Sequence, residues 1–423
     1  MDRTALGSRL TGLDEEFERE KMRQVKVVHL SNFDIGIQIH ARNMNRYLRD
    51  QGYSPYAVTH PGKMIRQDTV TSDGIPVKVI PFPSHITPLA DLGSLVKLVR
   101  YFRAENFDIV HAHTIKPGLL GRLAARLARV PVVLYTIHGF HFHDEMNRAQ
   151  IAFYGFIERI GASLSDLLLS QNQEDIGTAV RMGIAKAEKI RHLGNGIDIR
   201  VFHPSRVTPE RVKAKREELR IPNDHKAVVM VGRLVREKGF YEYFEAARIL
   251  KKRGIPAVFL SVGAVHEKKG AVDPITLIRK FGLVGYVHYL GLRHDIPDLL
   301  AAVDVLVSPS YAEGIPRNVM EACAMGKPVV ATNVRGTREI IENGVTGILV
   351  PPKDPAALAQ AIEKLLADGE AASAMGRAAR AKAEQMMDEK AFFIRTDRFY
   401  RELLYRKQPH VDWNGLLKPL PDG

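Results

Sequence analysis

Glu313 and Glu321 bracket the segment Gly314-Ile-Pro-Arg-Asn-Val-Met320, which follows the apolar run Val305-Leu-Val-Ser-Pro309. The spacing puts one carboxylate in a loop and the second inside the helix that follows. Gly314 and Pro316 suit a tight approach and a helix start. A helix N-terminus presents free N–H groups and the positive end of a dipole, so it favours an anion. The second carboxylate has two oxygens that can accept hydrogen bonds from neighbouring hydroxyls, as in a ribose. Phosphate at the helix tip, ribose beside it and a sugar near Glu313 together describe a nucleotide-sugar site. Taken alone, the two glutamates read sooner as a solvated pair on an ordinary strand–helix turn.

A second stretch adds the opposite charge. Val229-Met-Val-Gly-Arg-Leu-Val-Arg-Glu-Lys-Gly239 begins as an apolar strand, breaks at Gly232 and presents Arg233 and Lys238 ahead of a helical pattern. Two cations at a strand end, one a planar fork and one a compact charge, suit a diphosphate. Singly, Arg236 and Lys238 read as solvated turn charges, but the two stretches together are far more specific.

The patterns G-R-L-V-x-E-K-G, P-S-Y-x-E-G-I-P-R-x-x-x-E-A and G-K-P-V-V-A-T occur in that order. Upstream lie His111-Ala-His113-Thr-Ile-Lys-Pro-Gly118, Tyr135-Thr-Ile-His-Gly-Phe-His141 and Gly194-Asn-Gly-Ile-Asp198. Over residues 25–404 the chain resembles glycosyltransferase family 4, and within it the branch that builds capsular and exopolysaccharide repeat units. The resemblance implies the GT-B fold, with two Rossmann-like parallel-sheet domains facing across a cleft. It implies a retaining transfer from a nucleotide-sugar, foremost a UDP-sugar, to a polyprenyl-diphosphate-linked or other saccharide acceptor. It places Arg233, Lys238, Arg293, Glu313, Gly314, Ile315, Pro316 and Glu321 against the donor, with Arg293 beside the base mainly through its backbone. It makes His138, Arg233, Lys238 and Glu313 the catalytic set, His138 meeting the donor sugar. Gly36 stands alone in residues 31–37, where many family members carry a glycine pair. Two other readings stand beside this one: a non-hydrolysing UDP-sugar epimerase, and a non-catalytic nucleotide-sugar-binding subunit.

No metal and no cofactor is expected. His138, His141 and His143, with Asp144 next, form H-x-x-H-x-H, which matches no strong zinc spacing and is joined by no cysteine. No Asp-x-Asp occurs anywhere in the chain. His111 and His113 end a strand, where an acceptor-side role and a satisfied structural role are both open.

The elements that must position these residues alternate. Strands are expected over residues 25–30, 56–60, 77–81, 108–113, 131–137 and 166–171 of one half. The other half has them over 227–234, 257–264, 287–291, 305–309, 328–332 and 347–350. Helical patterns intervene, as over 118–128, 241–252, 317–325 and 355–367. Continuous apolar strands with helical crossovers imply parallel sheets covered on both faces, whose ligands bind at the strands' carboxyl ends. The expected organisation is a leader over 1–24 with frayed helical spacing and a first domain over 25–203. A second, nucleotide-sugar-binding domain spans 204–388. A helix over 389–406 crosses back to the first domain, and a loosely held tail fills 407–423.

Composition sets outer bounds. At 423 residues the chain is too long for one core. It is 45% hydrophobic and 26% charged, which fits a soluble globular protein rather than a disordered one. The leader has acidic residues where a secretion signal needs an apolar core. The lone Cys323, in an apolar run, reads as a buried structural thiol and excludes an internal disulfide. A formal net charge of +13 calls for acidic partners. No nucleic-acid signature accompanies it, so a diphosphate donor and a lipid-linked acceptor are the expected partners. Over residues 94–129, Lys97, Arg100, Arg103, Lys116, Arg122, Arg126 and Arg129 alternate with Leu and Ala. That pattern fits peripheral contact with an anionic membrane or two ordinary amphipathic helices on a sheet. The expected location is the cytoplasm, with contact at the inner face of the cell membrane.

Overall fold

The computed structural model describes residues 23–32, 41–62, 64–83, 87–140, 146–264 and 270–421. The expected leader over its first 22 residues, Gly36, His141, His143 and Asp144 lie outside them. The chain forms two compact units. The first comprises Met1–Ser170, Asp175–Leu193 and Phe393–Gly423, and the second Gln171–Glu174 and Gly194–Phe392. The break falls at Leu193, earlier than the expected residue 203. Ile197 already bridges to Asp388, and Ile197 and Phe202 are buried in the second unit's core.

The first unit holds eight strands: β1 (Val25–Ser31), β2 (Tyr53–Thr59), β3 (Thr69–Val70), β4 (Pro76–Val79), β5 (Ile109–His113), β6 (Val132–Ile137), β7 (Leu167–Ser170) and β8 (Ile190–His192). Their order across the sheet is β3-β4-β2-β1-β5-β6-β7-β8. All neighbours are parallel except β3 and β4. The sheet is thus parallel as expected, apart from this one antiparallel pair at its edge. A turn closed by Gly74 N–H donating to the Thr71 carbonyl folds the two-residue β3 back on β4. Two and three residues are too few for β3 and β8 to show an apolar run.

The second unit holds β9 (Lys226–Val231), β10 (Ala257–Val262), β11 (Val287–Tyr289), β12 (Val305–Ser308), β13 (Val329–Thr332) and β14 (Ile348–Val350). Their order is β11-β10-β9-β12-β13-β14, and every pairing is parallel. Residues of β9 alternate between two cores: Ala227 and Val229 enter one, Val228 and Met230 the other. Both faces are therefore buried, which is why the strand reads as an unbroken apolar run. The chain leaves β9 for β10 on one side and returns to β12 on the other. That reversal opens a crevice at the carboxyl ends of β9 and β12.

The last long helix, Glu389–Lys407, carries a buried polar anchor of the first unit. Asp397 is fully buried and accepts hydrogen bonds from Tyr53 (2.7 Å), Tyr47 (3.2 Å) and Arg401 Nε (2.8 Å). The tail is not loosely held as its Pro and Gly content suggests. Trp413 is fully buried, its indole N–H donates to the Gln408 carbonyl, and Lys418 N–H donates to the Gln51 carbonyl. Burial of a large aromatic outweighs local composition.

Replacing Asp397 with Asn should cost about 3–5 kcal/mol of stability, because it strands the buried Arg401 charge. Tyr53→Phe, which removes one neutral donor, should cost about 1 kcal/mol. Denaturant midpoints measure both; an Asp397→Asn variant as stable as the parent would show that the anchor contributes nothing.

Candidate functional site

Parallel pairing of β9 with β12, Val305 beside Val228 and Leu306 beside Val229, sets the loops after both strands next to each other. After β9, residues Arg236–Lys238 form a single turn that ends at Gly239, with φ of 80°. A Cβ there would meet the Pro309 carbonyl oxygen at 2.1 Å, so only glycine allows the β12 loop this close. Tyr311 N–H donates to the Glu237 carbonyl at 2.9 Å and ties the second loop to the first.

That tie brings Lys238 and Glu313 into a hydrogen-bonded ion pair, with Glu313 mostly buried and Lys238 partly so. The stem of Lys238 passes Gly232. Arg233 is exposed, and its guanidinium has no partner among the described residues. Gly314 and Ile315 are half-buried, and Pro316 is buried at the N-cap of the helix Arg317–Ala324. The proline sits one position before the first helical residue, since its ψ of 113° is extended. The loop is held from three sides. Gly336 N–H donates to the Glu313 carbonyl (3.3 Å), Asn172 Nδ2 donates to the Gly314 carbonyl (3.3 Å), and Asn318 Nδ2 donates to the Val231 carbonyl (2.9 Å).

Glu321 projects from the second turn of the helix and is buried, with one oxygen accepting from Arg317 Nε at 2.8 Å. Burial pushes its carboxyl above the ordinary range, and Arg317 pulls the other way. Arg293 follows β11. Its guanidinium is occupied by Asp295 and by Glu218 at 2.7 Å, which raise its already high pKa. Nε and one terminal nitrogen of the guanidinium are thus engaged by the two carboxylates.

In the second unit, then, Lys238, Glu313, Gly314, Ile315, Pro316 and Glu321 come from two adjoining loops and one helix, with Arg233 at the start of the first loop. The set offers two cations and a helix N-terminus to an anion, and two carboxylates to hydroxyl groups. Asn172, Asn318 and Gly336 escaped the sequence reading. Asn318 had a local signal, a polar residue in the first turn of a helix with a buried face. Asn172 and Gly336 act through contacts distant in sequence.

His138 lies in the first unit at the end of β6, where its Nε2 is 2.9 Å from His113 Nδ1. His111 is buried, with one ring nitrogen 2.6 Å from the Tyr400 hydroxyl and the other 2.7 Å from Thr136 Oγ1. Both of its nitrogens are thus satisfied within the fold. His29, His111 and His113 each bring one ring nitrogen within 4.8 Å of the others, the spacing of a loose three-histidine metal set. His29 Nδ1 lies 3.1 Å from His113 Nε2, and both nitrogens of His111 are bonded, to Tyr400 and Thr136. Cys323 is a buried free thiol, pushed up to about 12 by burial.

The chain is similar to known proteins over most of its length. Residues 212–382 match the family described as Glycosyl transferases group 1, and residues 36–196 match the Glycosyl transferase 4-like domain. The chain is 32% identical over 275 residues to UDP-Gal:alpha-D-GlcNAc-diphosphoundecaprenol alpha-1,3-galactosyltransferase of Escherichia coli, covering 64% of this chain and 69% of the relative. It is 26% identical over 389 residues to the capsular polysaccharide biosynthesis glycosyltransferase CapM of Staphylococcus aureus, covering 90% and 98%. Among solved structures, HepE of Anabaena in complex with UDP and glucose superposes with a TM-score of 0.74. It has 22% identity and covers 90% of this chain and 100% of that one.

Gly336→Ala tests the support of the loop. The new Cβ would lie 1.7 Å from the Gly314 carbonyl oxygen, so the loop must shift. Affinity for a nucleoside diphosphate should fall by about tenfold or more, equivalent to 1.4 kcal/mol, in calorimetric titration. Unchanged affinity would show that the loop at Gly314 does not hold the anion.

Proposed function

The chain belongs to glycosyltransferase family 4 and has the GT-B fold, and from that membership we propose a retaining transfer from a UDP-sugar to a polyprenyl-diphosphate-linked saccharide. The chain is a glycosyltransferase of polysaccharide and lipid-linked saccharide biosynthesis. The observation that carries the finer reading is the Lys238–Glu313 pair, poised at the adjoining ends of β9 and β12 beside a helix N-terminus.

Transfer breaks the bond between the sugar's anomeric carbon and the β-phosphate oxygen. Charge then grows on the departing diphosphate and on an oxocarbenium-like sugar. Lys238, Arg233 and the N-terminus at Pro316 are placed to stabilise the first charge as it develops. Glu313 binds sugar hydroxyls and holds Lys238 in place until the diphosphate arrives. The acceptor hydroxyl attacks on the face the leaving group vacates, and its proton passes to the leaving phosphate, which preserves the anomeric configuration. Glu321 grips the ribose, with Arg317 fixing its orientation. The backbone at Arg293 lies beside the base. His138 meets the donor sugar.

A diphosphate already served by protein cations needs no divalent ion, so the reaction is proposed to be metal-independent. For the acceptor, the Escherichia coli relative's name specifies a diphosphoundecaprenol-linked sugar. Contact with an anionic membrane fits the helix Pro88–Glu105. Leu89, Leu92 and Val96 are exposed there at helical spacing, with Lys97, Arg100 and Arg103 beside them. Arg122 does not join that surface. It is buried over the Tyr135 ring at 3.9 Å, with Nε donating to the Gly118 carbonyl. Among the described residues no helix is long and apolar enough to cross a membrane.

One assay tests the proposal: turnover of a UDP-sugar with a polyprenyl-diphosphate-linked acceptor in excess chelator. The unaltered chain should transfer sugar with retained configuration, and Lys238→Ala should lose on the order of 100–1,000-fold in turnover while remaining folded. Donor conversion without acceptor would instead indicate an epimerase. Activity restored only by a divalent ion would refute metal independence.

A further inference from the structure

Tyr311 stands in the loop that carries Glu313, and the proposed chemistry leaves its side chain unused. Its backbone N–H donates to the Glu237 carbonyl at 2.9 Å, and its hydroxyl donates to Glu242 Oε1 at 2.7 Å. Glu237 and Glu242 flank Lys238 and Gly239 in the chain. The loop after β12 is therefore fastened to the stretch after β9 at two points, one on each side of the lysine that pairs with Glu313. One point would fix a distance and leave the loop free to swivel. Two points fix its angle as well.

The second point is the stronger bond. A hydroxyl donating to a carboxylate makes a charge-assisted hydrogen bond, shorter and roughly twice as strong as a neutral one. Glu242 lies in the first turn of the helix Phe240–Lys252, where a carboxylate also faces the positive end of the dipole. Phe240, Tyr243 and Phe244 of that turn and the next are fully buried, so the acceptor is carried on a rigid element.

Tyr311 itself is half-buried. Burial pushes its phenol up to about 12, Glu242 adds to the rise and Arg236 pulls the other way. The hydroxyl thus keeps its proton, and stays a donor, across the neutral range. Lys353, beyond β14, meets the ring from a third side, its ammonium 5.1 Å from the ring centroid and within cation–π range. The backbone at the helix tip is secured separately, by Gly336 at the Glu313 carbonyl and by Asn172 at the Gly314 carbonyl. The two bonds from Tyr311 relate that loop to the stretch bearing Lys238.

We propose that Tyr311 and Glu242 are positioning residues. Their bond sets the angle at which Glu313 meets Lys238 and the donor sugar, and so acts on transfer rather than on nucleotide binding. The nucleotide half of the donor falls to Glu321 and the helix tip, whose backbone is held by other bonds. What Glu313 touches rests on the proposed function, whereas the fixing of the loop does not.

Steady-state kinetics and calorimetric titration with free UDP test it in Tyr311→Phe, Glu242→Ala and the double variant of the full chain. Amide hydrogen exchange over residues 310–316 adds a readout that needs no substrate. Tyr311→Phe keeps the backbone bond and removes only the hydroxyl. It should lower kcat about ten- to a hundredfold, leave UDP affinity nearly unchanged and speed exchange in the loop. Glu242→Ala should do the same. The double variant should be no worse than either single one, because all three lack the same bond. Glu242→Gln, which keeps an acceptor oxygen, should recover most of kcat. A purely structural bond would lower the denaturant midpoint and leave kcat at the parent value, and that result would overturn the proposal. Additive losses in the double variant would overturn it too, as would equal losses of kcat and UDP affinity. Should one single variant fail to fold, the other carries the comparison. An unaltered chain that transfers no sugar would sink the proposed function instead, and loop exchange then decides: unchanged rates in the variants would show that the bond fixes nothing.

Discussion

Parallel pairing of β9 and β12 is the constraint on which the second unit depends. The two strands are neighbours in the sheet although β10 and β11 intervene in the chain. Parallel register forces both to end on the same side, so their loops emerge together. Everything at the site follows from that adjacency. Gly239 accepts the close approach of Pro309, Tyr311 binds the Glu237 backbone, and Lys238 reaches Glu313. A strand order that separated β9 from β12 would keep every one of these residues and lose the site.

Each charge that the proposed reaction draws from Glu313, Lys238 and Glu321 is held in a pair. Lys238 faces Glu313, and Arg317 faces the buried Glu321. Arg293 is paired as well, with Asp295 and Glu218. Pairing keeps partly buried charges tolerable without a ligand. It also sets their geometry in advance, so little reorganisation is left for the reaction. Arg233 is exposed and its guanidinium has no partner among the described residues, which under the proposed function leaves it as the cation to close on an arriving diphosphate.

The second sheet was readable because its strands are apolar on both faces, and all six were expected within a few residues of where they lie. The site loops were readable because their charges and glycines stand at strand ends, where parallel sheets bind ligands. Three kinds of feature were not. Short edge strands such as β3 and β8 are too brief to pattern. Arg122 reads as a surface cation, yet Tyr135 and the Gly118 carbonyl make a buried place for it. The tail reads as loose from its Pro and Gly, yet Trp413 anchors it. The supports Asn172 and Gly336 and the partners of His29 and His113 depend on contacts far apart in sequence, which no local pattern encodes.

The division of labour between the two glutamates is the central claim, and calorimetric titration with free UDP tests it most directly. Glu321→Gln should weaken UDP binding by roughly ten- to a hundredfold, since a carboxylate's hydrogen bonds are worth about 1.5–3 kcal/mol and the amide offers one acceptor oxygen where the carboxylate offers two. Glu313→Gln should leave UDP affinity nearly unchanged, its loss appearing only with the intact donor and mostly in turnover. Equal weakening of UDP binding in both variants would contradict the assignment of ribose to Glu321 and sugar to Glu313.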